Sequence, residues 1–318
     1  MSEFTGVSYQ GEAMAGQESR KVPAEAVELY SQFIHGEISR RAFINGIKRF
    51  AVAGLTASAI IDALMPNYAL GQQIRRDDER IKASYETIPS PNGNGYIRGY
   101  FVRPFSADTR DATPAKLPGV IVVHENRGLN PHTEDVARRF ALENFMAFAP
   151  DALSSVGGYP GDDYKGGLLF AKLDPNKRIQ DFLAAAQWLK ARTDCTGQVA
   201  ATGFCFGGGV ANTLAVLMGA DLKAAAPFYG TPSKPEDVPK IKAAILIHHG
   251  GLDKALATGY PAQAAELKRN NITFEGHVYP NAVHGFFNDA TPERYNRAAA
   301  EQAWGRTIEW FNQYARAA

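Results

Sequence analysis

Cys205 stands where a short apolar strand is predicted to turn sharply into a helix. Positions 199–211 read Val-Ala-Ala-Thr-Gly-Phe-Cys-Phe-Gly-Gly-Gly-Val-Ala. This Gly-x-Cys-x-Gly pattern predicts a nucleophile elbow, usually written with serine, in which the turn lifts a reactive side chain clear of a sheet. The alternative is a structural cysteine in a glycine-rich turn, because free cysteine commonly packs as a small apolar residue.

Two further candidates follow Cys205 in the chain order nucleophile, acid, histidine. Asp253 comes after a predicted strand at 243–248, and His284 comes after one at 272–279. A thiol with an ordinary pKa of about 8.5 is only a few per cent thiolate at neutral pH, so it needs a base to activate it. We expect His284 to accept the thiol proton and Asp253 to orient the imidazole. Either residue alone could be an ordinary loop residue, but their order at successive strand ends favours a triad.

Glu125 is the fourth candidate, and it follows a continuous apolar run at 120–123. Its carboxylate has two interpretations: it forms a structural ion pair with Arg127, or it faces the nucleophile. In the same loop, the backbone amide of Asn126 is predicted to form an oxyanion hole together with the amide of Phe206, the residue after the cysteine.

Strand and helix patterns alternate after an antiparallel hairpin predicted at 82–88 and 96–103. This rhythm predicts one mostly parallel, twisted sheet with helices on both faces, in which ligands bind beyond the carboxyl ends of the strands. Thr133 is the predicted N-cap of the first of these helices. Residues 105–117 read as a polar loop. The predicted strands are 120–123, 145–149, 199–202, 224–228, 243–248 and 272–279, and the predicted helices are 133–143, 175–192, 258–270 and 292–315.

Residues 1–74 read as an extension that precedes a catalytic domain at 75–318. Arg40 and Arg41, followed by a weakly apolar run, resemble a twin-arginine export signal. The long leader before the arginines and the interruption of the run by Asp62 speak against that interpretation.

The alternative for the extension is a pair of helices, at about 24–35 and 39–64, that pack on the catalytic body or on a second subunit. The first interpretation predicts a periplasmic protein. The second predicts a cytoplasmic protein that keeps its N-terminal segment, with a homo-oligomer as one possible assembly.

The composition excludes several classes of partner. A formal net charge of +1 gives no reason to expect nucleic acid or an anionic membrane surface, and the apolar runs are too short for a membrane span. Cys195 and Cys205 are the two cysteines, and they show no zinc-ligand spacing. We therefore expect neither a metal nor an organic cofactor.

These motifs together resemble the dienelactone hydrolases, cysteine members of the α/β-hydrolase fold. The resemblance covers roughly residues 85–315, and the cysteine elbow with an upstream glutamate is its most specific part. It implies hydrolysis of a small ester or lactone through a thioester acyl-enzyme, with Glu125 helping to generate the thiolate. The motifs are the loop around Glu125, Ala149-Pro150-Asp151, Gly203 to Gly208, Gly250-x-x-Asp253 and His284-Gly285-Phe286.

The departure from the family concerns the substrate. Founding members bind a substrate carboxylate with two arginines, but residues 152–159 contain none, and Asn288 stands four residues past the histidine. Arg127 is a candidate replacement cation. Tyr159 and Phe286 are candidate pocket residues, although the glycine-rich segment around Tyr159 reads equally well as a solvated loop.

Three alternatives keep the fold and change the function. An esterase or thioesterase for a different or larger acyl substrate would use the same residues. A ligand receptor would keep the pocket without turnover. A redox-responsive protein would pair Cys205 with Cys195, although Cys195 is predicted near the amino end of the elbow strand, far from the turn.

Overall fold

The computed structural model describes residues 22–34, 36–51, 56–105 and 116–316. Most of the predicted polar loop at 105–117 lies outside these residues, as do positions 1–21. Within the described chain, eight strands form one sheet in the order β1-β2-β4-β3-β5-β6-β7-β8. The strands are β1 (Ile81–Ser90), β2 (Gly95–Pro104), β3 (Leu117–Val123), β4 (Met146–Asp151), β5 (Cys195–Phe204), β6 (Ala224–Phe228), β7 (Ala244–Gly250) and β8 (Phe274–Tyr279).

The sheet has an antiparallel edge and a parallel body. β1 and β2 form the predicted hairpin, with Tyr85 opposite Tyr100, and β2 also runs antiparallel to β4. From β4 onward neighbouring strands are parallel. The predicted α/β-hydrolase architecture is confirmed, because the strand ends that carry the candidate residues lie along one edge of this parallel body.

Helices cover both faces of the sheet because its central strands are apolar on both sides. On β3, Val120 and Val122 pack in the core beneath α5 and α10, whereas Ile121 and Val123 pack in the core beneath α7 and α8. The helices are α1 (Ala24–Ile34), α2 (Arg40–Ile47), α3 (Ala57–Leu64), α4 (Tyr68–Gly71), α5 (Pro131–Leu142), α6 (Asp163–Phe170), α7 (Pro175–Ala191), α8 (Phe206–Met218), α9 (Lys254–Arg269) and α10 (Arg297–Phe311).

Three helix starts differ from the sequence-based prediction. α9 begins at Lys254 instead of residue 258. Asn130, not Thr133, caps α5: its Oδ1 accepts a hydrogen bond from the Thr133 amide at 3.1 Å, and proline occupies the first helical position. α10 begins at Arg297 instead of residue 292, because Asn296 supplies the cap.

The glycine-rich segment around Tyr159 could be either pocket lining or a solvated loop from its sequence. It leads into α6, which was not predicted. The Asp162 carboxylate caps this helix by accepting a hydrogen bond from the amide of Lys165 at 2.7 Å.

The N-terminal extension contains short helices with a small core of their own. Tyr30, Phe43, Ile60 and Leu64 are among the buried residues of this core. The helix expected over 39–64 is divided: α2 ends at residue 47, α3 starts at residue 57, and positions 52–55 lie outside the described residues. No helix in the described part of the chain is long and apolar enough to cross a membrane.

The segment that joins the extension to the sheet is fixed by one buried carboxylate. Asp135, on α5, accepts hydrogen bonds from the amides of Gln73 at 3.2 Å and Ile74 at 2.8 Å. It also pairs with the guanidinium groups of Arg138 and Arg139. The extension is therefore tied to the helix that follows the Glu125 loop.

We predict that Asp135→Ala lowers the free energy of unfolding by about 3–5 kcal/mol, because it leaves two buried guanidinium groups without their shared carboxylate. Urea unfolding followed by circular dichroism measures the change. Asp135→Asn is the matched control: it has the same shape and keeps one of the two acceptor oxygens, so we expect a smaller loss. A loss of less than about 1 kcal/mol in the alanine variant would contradict this role.

Candidate active site

The four candidate side chains meet at the carboxyl edge of the parallel strands. Cys205 follows β5, and Glu125 lies in the loop after β3. Asp253 follows β7 at the N-cap position of α9, and His284 lies in the loop after β8. Four separate strands thus deliver one cluster of side chains.

The turn at Cys205 has the sharp geometry expected of a nucleophile elbow. Its φ of 54° and ψ of −113° lie in a region that non-glycine residues rarely adopt, at a cost of about 1–3 kcal/mol. The backbone segments before and after the turn lie so close together that a Cβ on Gly203 would be 2.3 Å from the carbonyl oxygen of Gly207. The Cys205 side chain is half-buried, so it is not sealed inside the core.

His284 joins the acid to the thiol. Its Nδ1 lies 2.6 Å from Oδ2 of Asp253, and a side-chain hydrogen bond joins the ring to Cys205. Burial alone would lower the pKa of His284, but the negative charge at Cys205 and the hydrogen bonds of the ring with Asp253 and Cys205 raise this pKa to about 10. For Asp253, burial opposes ionisation, but the hydrogen bond and charge of His284 outweigh it and lower the pKa. The arrangement favours an imidazolium between two anionic groups.

Glu125 is 7% exposed and is surrounded by positive charge. Burial would raise the pKa of its carboxyl group, but the Arg294 and Arg127 guanidinium groups, followed by His132 and His284, lower it. Among the described residues no ion pair within 4.0 Å joins Glu125 to Arg127. Instead, Nη2 of Arg127 donates a hydrogen bond to the Ile34 carbonyl at 3.0 Å. The structural ion-pair interpretation of these two residues is therefore not supported.

The two predicted oxyanion-hole amides belong to the first turn of α8 and to the loop after β3. Phe206 is the first residue of α8, where backbone amides have no partner inside the helix. Asn126 lies in the loop after β3, and its side-chain amide donates a hydrogen bond to the Ile34 carbonyl at 3.0 Å. The role of both backbone amides stays a prediction.

The remaining predicted pocket residues all contact other residues of the protein. The Tyr159 hydroxyl donates a hydrogen bond to Asp163 at 2.7 Å. Phe286 is completely buried in an aromatic cluster with Tyr229. Oδ1 of Asn288 accepts a hydrogen bond from the Ala290 amide at 3.1 Å. These contacts favour structural roles for Phe286 and Asn288.

Two residues near the catalytic cluster were not predicted. The ring of Tyr229 lies 4.9 Å from that of His284, centroid to centroid, and Tyr229 directly follows the predicted strand at 224–228. Asp253 was selected because it follows a predicted strand, and the same criterion could have selected Tyr229. Arg294 is 5% exposed, and its Nε and Nη1 atoms have no hydrogen-bond partner. No sequence signal marks Arg294, because it lies inside a predicted helix.

The described residues contain no cluster of three or more His, Cys, Asp or Glu side chains that could hold a metal ion. His248 and His249 are adjacent on β7 and point to opposite faces of the sheet, so they do not form a metal-binding pair: His248 contacts Tyr279, and His249 contacts Gln263.

The two cysteines lie at opposite ends of β5, because Cys195 is its first residue and Cys205 follows its last. A ten-residue strand spans roughly 30 Å, which excludes a disulfide between them. The redox alternative, in which Cys195 resolves an oxidised Cys205, is therefore wrong.

Sequence comparison relates this chain to one protein family and to several bacterial proteins. A model of the dienelactone hydrolase family matches residues 104–315. A protein named "Putative hydrolase fragment YghX" from Escherichia coli K12 is 54% identical over 121 residues, which are 38% of this chain and 98% of that protein. A "Putative carboxymethylenebutenolidase" from E. coli O157:H7 is 33% identical over 261 residues, covering 76% of this chain and 90% of the relative.

The solved structures agree. A crystal structure titled "Putative Dienelactone Hydrolase" from Klebsiella pneumoniae has a TM-score of 0.62 and 30% identity, covering 74% of this chain and 99% of that one. The esterase rPPE has a TM-score of 0.60 and 14% identity, with coverage of 95% and 100%; this likeness concerns the fold alone.

We predict that Cys205→Ala lowers the pKa of His284 from about 10 by about 1–3 pH units, because an anionic neighbour that stabilises the imidazolium is removed while burial remains. The His284 ring of the parent should therefore keep its proton to higher pH than that of the variant. NMR titration of the ring nitrogens measures both values. Cys195→Ala is the control and should titrate like the parent; the same midpoint in Cys205→Ala would contradict the coupling.

Proposed function

Because the chain belongs to the dienelactone hydrolase family, we propose that it hydrolyses small esters or lactones through an acyl-enzyme on Cys205. The observation that carries the proposal is the hydrogen-bonded series from Asp253 through His284 to Cys205 at a strained turn. The family match and the relatives support a hydrolase, and the chemistry of the cysteine suggests the mechanism.

In the first half of the proposed reaction, the Cys205 thiolate attacks the carbonyl carbon of the substrate. The carbonyl oxygen becomes an oxyanion, which the backbone amides of Asn126 and Phe206 stabilise. As the tetrahedral intermediate collapses, the imidazolium of His284 gives its proton to the leaving oxygen. The alcohol product, or the ring-opened end of a lactone, departs and leaves a thioester on sulfur.

The second half of the reaction releases the acid. His284, now neutral, takes a proton from water, and the resulting hydroxide attacks the thioester carbon. Collapse of this intermediate expels the thiolate, so the imidazolium–thiolate pair is restored. Asp253 accepts a hydrogen bond from Nδ1 of His284 throughout, which fixes the tautomer that both proton transfers require.

Glu125 is proposed to help hold the sulfur in its reactive form. Its lowered pKa keeps the carboxyl group ionised at neutral pH, and it lies close enough to His284 for the two charges to act on each other. An ionised carboxylate can accept the thiol proton or favour the imidazolium that forms beside it. This role follows the family resemblance.

Ester or lactone hydrolysis is preferred to passive ligand binding for one reason. A receptor needs a pocket, but it has no use for a thiol held at strained backbone angles beside an imidazole with a raised pKa. Residues 75–318 are proposed as the catalytic domain and residues 1–74 as an extension, and a homo-oligomer formed through the extension stays a prediction.

We predict that Cys205→Ala reduces kcat/KM for p-nitrophenyl acetate at least about a thousandfold, because the covalent route is lost. Steady-state hydrolysis measures the rate, and circular dichroism verifies the fold. Cys195→Ala is the matched control, because it removes the other thiol at the far end of β5, and it should keep the parent activity. Hydrolysis by Cys205→Ala at the parent rate would contradict the proposal.

We predict that Glu125→Gln slows alkylation of Cys205 by iodoacetamide about tenfold near neutral pH, because a neutral amide cannot help form the thiolate. Alkylation rates over a range of pH, read by mass spectrometry of the Cys205 peptide, measure the effect. Glu275→Gln, an exposed position on β8, is the charge-matched control. If Cys205 in Glu125→Gln is alkylated at the parent rate at every pH, Glu125 has only a structural role and the prediction is contradicted.

A further inference from the structure

The N-terminal extension lies over the edge of the sheet that carries the catalytic residues. The last carbonyl of α1, that of Ile34, accepts hydrogen bonds from Nδ2 of Asn126 and Nη2 of Arg127, both at 3.0 Å. These two residues immediately follow Glu125. α1 therefore ends directly against the loop that contributes the glutamate and a predicted oxyanion amide.

A second set of contacts joins the extension to the loop and helix that follow β4. The Phe33 ring stacks on Tyr164, with centroids 5.8 Å apart and planes 21° apart. From α4, the Tyr68 hydroxyl donates a hydrogen bond to Asp163 at 2.7 Å and accepts one from Asn130 at 2.8 Å. The extension thus bridges two of the loops at the carboxyl edge.

Tyr30, on α1, is linked to the loop of the catalytic histidine through the Arg294 side chain. Its side chain is 2% exposed, and the guanidinium carbon of Arg294 lies 5.3 Å from its ring centroid. On its other side Arg294 packs on Gly285, where an added Cβ would lie 2.7 Å from Nη1. Gly285 directly follows His284, so one guanidinium separates Tyr30 from the catalytic loop.

The Tyr30 hydroxyl lies among charged residues of the site. Burial raises its pKa, and the charges that act on it are those of Arg294, Arg127, Asp163 and Glu125. Reciprocally, Tyr30 is the first residue whose charge acts on the pKa of Arg127. The phenol ring therefore fills the space between α1 and a group of charged side chains that includes Glu125.

We propose that α1 forms a wall of the substrate chamber and that Tyr30 is a specificity-determining residue that excludes esters with long acyl chains. The proposal rests on the proposed function and deepens it, because it restricts the substrates to short or polar acyl groups. The extension lies outside the segment that the family model matches, residues 104–315. This wall is therefore a feature of the present chain that the match does not supply.

The test compares Tyr30→Ala and Tyr30→Phe with the parent. The ratio of kcat/KM for p-nitrophenyl octanoate to that for p-nitrophenyl acetate should rise about tenfold in the alanine variant, because a pocket that gains room for a few methylene groups gains selectivity of this order. Tyr30→Phe keeps the ring and should keep the parent ratio. Leucine is shorter than tyrosine but retains apolar packing, so Tyr30→Leu should shift the ratio in the same direction. This variant replaces Tyr30→Ala in the test if the alanine variant does not fold.

Val27→Ala is the matched control. Val27 lies on the same helix and packs in the core of the extension, so its truncation loosens that core without removing a side chain from the proposed chamber. An equal rise in the ratio for Val27→Ala would overturn the proposal, because the effect would then come from a loosened extension. An unchanged ratio in Tyr30→Ala, or an equal loss of activity toward both esters, would also overturn it.

A second readout does not need turnover. In a Cys195→Ala background, Cys205 is alkylated with small iodoacetamide or with bulky N-pyrenylmaleimide, and the ratio of the two rates reports the room at the thiol. Tyr30→Ala should raise the relative rate of the bulky reagent about tenfold, whether or not the protein hydrolyses any ester. If no ester is hydrolysed, the proposed function fails, but the alkylation ratio still decides whether Tyr30 forms a wall.

Discussion

The catalytic cluster depends on one interaction: an imidazole held between a carboxylate and a sulfur atom. His284 is half-buried, and burial by itself disfavours a charged ring. The ring gains charge because Asp253 lies 2.6 Å from one nitrogen and Cys205 shares a hydrogen bond with it. The ring keeps this geometry only if rigid neighbours hold both of its partners. Here Asp253 follows β7 and Cys205 follows β5, so two strands of the same sheet hold them.

The parallel sheet makes this arrangement possible by placing its strand ends side by side. The backbone at Cys205 is strained, and the close packing of β5 against α8 holds it in this conformation. The same edge is covered by the N-terminal extension, anchored through Asp135 and through the Ile34 carbonyl. The sheet thus supplies the reactive groups, whereas the extension, in our proposal, limits what reaches them.

The features that sequence reasoning predicted are those with a local chemical cause. The elbow at Cys205 and the alternating buried strands have short-range signatures, so their existence followed from residue type and spacing. Helix boundaries were less certain, because a cap such as Asn130 competes with nearby Thr133 for the same first turn. Arg294 and Tyr30 could not be predicted, since their proximity to the site depends on how distant segments pack against each other.

The central claim is that a covalent thioester forms on Cys205, and quenching the enzyme in acid during turnover of a slow ester tests it most directly. Mass spectrometry of the digested protein then locates the acyl group. We predict an acyl adduct on the peptide that contains Cys205, present during turnover and absent once the substrate is exhausted. Turnover with no adduct on that peptide under conditions in which deacylation limits the rate, or with the adduct on another residue, would contradict the account.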